Sequence, residues 1–286
     1  MNNVLEVSHL TKDYGSFKLD DVSFTVPGGT IMGLIGENGA GKSTTIKCIL
    51  DLVRRDSGEV HVLGHDMDRE ARTLKGEIGV VLDESGYYNS FTPAQVNRIQ
   101  SGLYLRWDSA LFQQYLNKFG LTEKKTVKEF SKGMRMKLAL AAAFAVRPRL
   151  LILDEATSGL DPVVRDEILD EFLAFIQDEE HAILISSHIT SDLEKVADYV
   201  TYLHKGRVAV SGAKDELLDR YGKLKCGRAD LERVDPALLV GVRTGQFGCE
   251  ALVKDRRALA RAWPALAIEP VTLEDIMIFT VKGDVR

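Results

Sequence analysis

The stretch GENGAGKST, residues 36–44, constrains the fold more than any other part of the chain. It satisfies G-x-x-x-x-G-K-[ST] in full, and its flanks are those the pattern requires. An apolar run, TIMGLIG (30–36), comes before it. After it, KSTTIKCILDLV (42–53) carries Ile46, Ile49, Leu50 and Val53 on one helical face. Gly36, Gly39 and Gly41 let the backbone curl, so that several N–H groups converge on one phosphate. Asn38, Ala40 and Thr44 complete the cradle. Lys42 reaches the β and γ phosphates of a nucleotide, and the Ser43 hydroxyl has the length to ligate Mg²⁺.

A cradle of this kind needs an acid at the end of a second apolar strand. LLILDE (150–155) supplies it: Asp154 is the expected Mg²⁺ partner, and Glu155 is expected to position or deprotonate the attacking water. Two adjacent carboxylates repel unless a cation or separate roles divide them.

The rest of the chain alternates short apolar strands with helical patterns. VLEV (4–7), DVSFTV (21–26), EVHVLG (59–64), IGVVLD (78–83), AILISS (182–187), YVTYL (199–203) and RVAVSG (207–212) read as strands. A helical stretch opens at Thr92-Pro93, a cap followed by an N1 proline, and extends to about residue 147. Its last part, FSKGMRMKLALAAAFA (130–145), begins with Ser131 at an N-cap position and Gly133 in the first turn, a start whose N–H groups suit an anion. The alternation predicts an α/β fold: a mixed sheet with flanking helices, an antiparallel β subdomain and a helical subdomain (92–147). The pattern changes near Tyr221-Gly222, so residues 1–222 are expected to form the nucleotide-binding domain and 223–286 a small α+β accessory domain. Within the latter, Thr272 and Asp275 are spaced as a capping box.

Composition narrows the function classes. A net charge of −5 argues against nucleic acid as the main partner. The three cysteines, Cys48, Cys226 and Cys249, lack metal or disulfide spacing and suit a reducing compartment. MNNVLEVSHL has no basic segment leading into an apolar one, so no secretory signal is expected. The longest apolar run, LALAAAFAV (138–146), is far short of the ~20 residues that span a bilayer.

Taken together, GENGAGKST, FSKGM (130–134), LLILDE, SGLD (158–161) and SSH (186–188) resemble, in kind and order, the nucleotide-binding subunits of ABC transporters. The resemblance covers about residues 3–220. It implies ATP and Mg²⁺ as ligands and a head-to-tail dimer in which Ser131 and Gly133 face a nucleotide held by a second ATPase subunit. It also implies an integral membrane permease as partner and a cytoplasmic location on the inner face of the membrane. Asp161 resembles the residue that communicates across the dimer, and before Pro162 it is also a helix cap. His188 resembles the γ-phosphate sensor. Tyr14 resembles the aromatic that stacks on adenine, or packs at a strand end.

Two departures stand out. FSKGM replaces the usual Leu-Ser-Gly-Gly-Gln, and Asp83 stands where the family has a glutamine that touches Mg²⁺. An ionised Asp ligates Mg²⁺ but donates no hydrogen bond. Tyr87 and Tyr88 just beyond it form either an aromatic rim for a membrane-subunit helix or a packed loop. This version resembles the ATPases of bacterial ABC-2 type exporters, some of which export peptides, antibiotics or other amphiphiles. The alternatives are a soluble ABC ATPase acting on a macromolecular partner, or an unrelated P-loop kinase or GTPase. The last leaves FSKGM, SGLD and SSH unexplained.

Overall fold

A computed structural model describes residues 2–82, 86–246 and 248–282. The chain begins with β1 (Asn3–Asp13), β2 (Lys18–Pro27) and β3 (Thr30–Gly36), then α1 (Lys42–Ile49). β4 (Ser57–Val62), β5 (His65–Asp66), α2 (Met67–Leu74) and β6 (Ile78–Val81) follow. The helical stretch comprises α3 (Pro93–Leu103), α4 (Ser109–Lys118) and α5 (Lys132–Ala145). Next come β7 (Leu150–Asp154), α6 (Pro162–Phe175), β8 (Ala182–Ser187), α7 (Thr190–Val196), β9 (Tyr199–His204) and β10 (Arg207–Ala213).

The central sheet has the order β10-β9-β3-β8-β7-β6, parallel except for β10, which runs antiparallel to β9. β7 and β8 are buried along their whole length, as continuous apolar runs with both faces covered must be. β2 instead alternates buried and exposed residues, because its antiparallel sheet, β2-β1-β4-β5, wets one face. Register aligns the strand ends that matter: Ile35 pairs with Ser187, and Asp154 with Ser186. The loops after β3, β7 and β8 therefore open on one edge of the sheet, where open α/β folds bind ligands.

Two elements depart from their expected bounds. α1 stops at Ile49 rather than running on to Val53: Asp51 takes a left-handed φ of 53°, and the N–H groups of Leu52 and Val53 both turn back to the Lys47 carbonyl. β1 extends well beyond VLEV, its pairing with β2 interrupted by register shifts near His9.

Beyond α8 (Lys214–Arg220) lies a third sheet built from β11 (Gly222–Cys226), α9 (Arg228–Leu231), β12 (Leu239–Thr244), β13 (Cys249–Val253), α10 (Arg256–Ala262) and β14 (Ala267–Glu269). Its antiparallel order, β12-β13-β11-β14, with one helix in each crossover, is a split β-α-β-β-α-β arrangement. Leu224, Leu231, Val234, Val242, Ala251, Val253 and Leu259 form its own core. Cys226 and Cys249, distant in sequence, stand opposite each other on β11 and β13 as free thiols. The last helix, α11 (Leu273–Lys282), packs on β12 and β13 of this sheet and on α7 of the larger body, so its apolar residues belong to the larger body's core cluster. Among the described residues, no helix is long and apolar enough to cross a membrane.

Candidate functional site

The loop after β3 is shaped by what a side chain would collide with. A Cβ on Gly36 would lie 2.7 Å from the Leu203 carbonyl oxygen and 2.9 Å from the Ala40 Cβ. Gly41, at φ 112°, caps α1 and faces Leu19 and Phe17, which leave no room for a Cβ. No side chain caps α1, so its first N–H groups stay free for an anion. Ala40 is buried, and its carbonyl accepts from the Gly206 N–H at 3.0 Å. Gly36 and Ala40 therefore set the backbone, and Asn38, Gly39, Gly41, Lys42, Ser43 and Thr44 face the space above it.

Lys42 is only 6% exposed and curls back over the loop. Its ammonium donates to the Gly36 carbonyl at 2.7 Å and lies 3.2 Å from Glu155 Oε1. At the end of β7, buried Asp154 accepts a 2.5 Å hydrogen bond from the Ser186 hydroxyl of β8. Glu155 points elsewhere because its backbone turns left-handed, at φ 54°. Such a conformation costs a non-glycine residue on the order of 1–3 kcal/mol and persists only where its surroundings hold it. Here the Glu155 N–H bonds the Ser186 carbonyl (3.2 Å) and hydroxyl (3.1 Å), and its Oε2 sits 2.6 Å from His188 Nδ1. The two adjacent carboxylates are thus divided: Asp154 is held by a hydroxyl, Glu155 by the Lys42 ammonium and the His188 ring.

Lys42, Glu155 and His188 line a cavity of about 660 Å³ together with Phe17, Glu37 and Ser158, with Asp154 buried beside Glu155 and not on the wall. Sequence reading missed Phe17, Glu37 and Ser158. Tyr14, the expected adenine partner, is not on the wall: it is 51% exposed, with the Lys12 ammonium 5.6 Å above its ring. The aromatic at the cradle is Phe17, in the turn before β2, where its ring meets Gly41. The only sequence signal for Phe17 is an apolar residue in a polar turn, which by itself gives no direction.

Ser131, Gly133 and Asp161 do not line this cavity; they form a second cluster where α5 and α6 begin. Ser131 accepts from the Met134 N–H at 3.2 Å, and Asp161 accepts from the Val164 N–H at 3.0 Å. A Cβ on Gly133 would approach Val164 to 3.3 Å. Asp83 lies outside the described residues.

The cradle has the shape and donor set of a triphosphate site: a helix start without a side-chain cap, a buried lysine, and two consecutive carboxylates at the end of β7. The chain is similar to proteins that use such sites. Residues 19–158 match the ABC transporter family. The bacitracin transport ATP-binding protein BcrA of Bacillus licheniformis is 33% identical over 78% of this chain and 74% of its own. The chain belongs to the ATP-binding subunits of ABC transporters. It is an ATPase coupled to transport. The lantibiotic transport ATP-binding protein SrtF of Streptococcus pyogenes is 35% identical over 74% of this chain and 92% of its own. A solved structure of an ATP-binding subunit of an ABC transporter superimposes with a TM-score of 0.69 at 31% identity, covering 75% of this chain and 91% of that one. ABC cassettes thus share the fold as well as the motifs.

Proposed function

We propose that ATP binds in the cavity above α1 and is hydrolysed there between two copies of the subunit. The observation that carries this reading is the Lys42–Glu155–His188 chain of contacts at the cavity floor. Lys42 receives the phosphates, and a phosphate, as the stronger anion, frees Glu155 to take up its work on water. His188 holds Glu155 in line and faces the γ position. The adenine meets Phe17, with Tyr14 beyond the cavity wall.

The residues also fit Mg²⁺. Ser43 faces the cavity and Asp154 is the buried carboxylate next to Glu155 of its wall, a hard oxygen set suited to that ion. When bound, Mg²⁺ would neutralise charge on the phosphate oxygens; Ser43, Asp154 and Asp83 would hold it.

Ser131 and Gly133 cannot serve their own cradle, because they lie outside its cavity. A second copy, head to tail, resolves this: each cradle receives the other's α5 start, with Asp161 at the seam. A helix dipole contributes ~1 kcal/mol to an anion and a charge-assisted hydrogen bond ~2 kcal/mol. Two sites then supply roughly 6 kcal/mol against an association cost of ~4–15 kcal/mol. ATP alone closes a weak dimer, and membrane subunits that keep the copies close make closure efficient.

An integral membrane permease is the second partner. Between the central sheet and the helical stretch lies a mainly apolar groove, a cavity of about 280 Å³ lined by residues including Leu52, Val80, Tyr87, Tyr104 and Trp107. Leu52 is 58% exposed at its lip. Tyr87 lines the groove, while Tyr88 is 74% exposed and packs edge-on against Phe91 instead. The groove suits an amphipathic permease helix, which would hold residues 1–222 as the nucleotide-binding domain at the cytoplasmic face of the membrane. Residues 223–286 would be an accessory domain. The relatives are named for bacitracin and lantibiotic transport; the cargo of this subunit is chosen by its permease.

The direct test is nucleotide titration. Lys42→Ala should lose most of its ATP affinity, with the apparent Kd rising ~10–100-fold, the cost of removing a charge-assisted contact. An unchanged titration curve would contradict the assignment of the cradle.

A further inference from the structure

His188 stands two residues before α7, a helix of only seven residues whose N-terminus has no side-chain cap. A helix so short is held by packing rather than by its own hydrogen bonds. On its inner side, Leu193 presses on Gly33 of β3, where a Cβ would come within 3.0 Å of the leucine. On its other sides it packs against α6, where Asp192 and Lys195 meet Arg165 and Asp166, and against the far end of the chain. Leu193, Val196 and Ala197 share one buried cluster with Val271, Leu273, Ile276 and Phe279 of the α11 segment.

Polar contacts fix the docking. The Glu194 carboxylate, on α7, accepts from the Leu273 N–H at 2.6 Å and so satisfies a free donor at the start of α11. Thr272 and Asp275 close a capping box on the same turn, at 3.0 and 3.1 Å. Asp275 also takes the Lys223 ammonium of β11 at 2.9 and 3.0 Å. A series of contacts therefore runs from the third sheet through Lys223, Asp275, Leu273 and Glu194 to α7, and the backbone leads from the start of α7 two residues back to His188, which meets Glu155.

We propose that α11 clamps α7 and thereby positions His188 against Glu155, with Glu194 as the positioning residue at the joint. The C-terminal segment then controls turnover without touching nucleotide. This rests on the reading of Glu155 and His188 given above. Binding belongs to the loop after β3 and turnover to the His188–Glu155 contact, so the clamp acts on kcat and leaves KM alone.

Steady-state ATPase of the full chain separates the possibilities. Glu194→Ala should lower kcat about tenfold, since small misplacements of a reacting group carry costs of this order, with KM within about twofold of wild type. Glu194→Gln keeps an oxygen acceptor and should restore most of the rate. The double variant Glu194→Ala/His188→Ala should be no slower than His188→Ala, because both changes break one contact. Should Glu194→Ala fail to fold, Lys223→Ala tests the clamp from its outer joint with the same kcat and KM pattern expected. A wild-type kcat in the folded clamp variant, or multiplying losses in the double variant, overturns the clamp alone. A wild-type chain without ATPase activity overturns the reading of the site and the clamp with it.

Discussion

At the cavity floor, charge is arranged residue by residue. Lys42 is nearly buried, yet its ammonium is not isolated: the Gly36 carbonyl and Glu155 share it. The left-handed turn at Glu155 lets adjacent acids serve different partners, and the Ser186 side chain and backbone lock that turn. Lys42, Ser43 and Asp154 were legible because the spacing of a phosphate cradle fixes what each must do. Phe17 was not, since its position depends on a turn folding over Gly41, a contact between segments that no local pattern encodes. The two aromatics can be told apart in solution. Phe17→Ala should weaken ATP binding about 5–30-fold, the order of ~1–2 kcal/mol for a lost stacking partner. Tyr14→Ala should change it less than threefold. Fluorescence titration with an adenine nucleotide reads both, and the opposite ranking would return the adenine to Tyr14.

Among the elements, continuity of burial decided what the sequence revealed. β7 and β8 could hardly be misread, being apolar along their length and flanked by turns. The end of α1 was misread because Leu50 and Val53 continue its apolar face although the chain has already turned at Asp51. Part of that turn, Leu52, is instead exposed at the lip of the apolar groove. A charge there should spoil docking without harming the cradle. Leu52→Asp is expected to retain basal ATPase within about twofold, as surface substitutions usually do, while its recovery with membranes falls severalfold. Co-sedimentation with permease-containing membranes measures this; unchanged recovery would remove the groove from the permease interface.

For the whole molecule, the unexpected feature is how closely the C-terminal segment is joined to the ATPase body. A boundary near residue 222 suggested an appended domain, and the third sheet does have its own core. But α11 lies between the two bodies: Lys223–Asp275 ties it to the third sheet, and Glu194 of α7 ties it to the main core. Sequence reading found the Thr272–Asp275 cap, a local feature, but not its docking site at Glu194, 79 residues before Leu273. The tie should be acid-sensitive. Burial pushes the Asp275 carboxyl up, but hydrogen bonds from Lys223 and Thr272 outweigh it and hold the group below its ordinary range. A folded value below the unfolded ~3.9 means stability that is present above about pH 4 and lost as pH falls through the folded value. Thermal melts from pH 5 down to pH 2 should therefore fall more steeply for wild type than for Asp275→Asn; parallel curves would show that this carboxylate contributes nothing.

The central claim is that one nucleotide is held by the cradle of one copy and the Ser131 helix of another. Sedimentation of Glu155→Gln with Mg²⁺ and ATP tests it most directly, because that variant should bind nucleotide without consuming it. The account predicts a monomer that becomes a dimer on adding ATP, and no dimer when Ser131→Glu is also present, since a second anion there would repel the γ-phosphate. A chain that stays monomeric at saturating ATP, or dimerises regardless of Ser131, would contradict it.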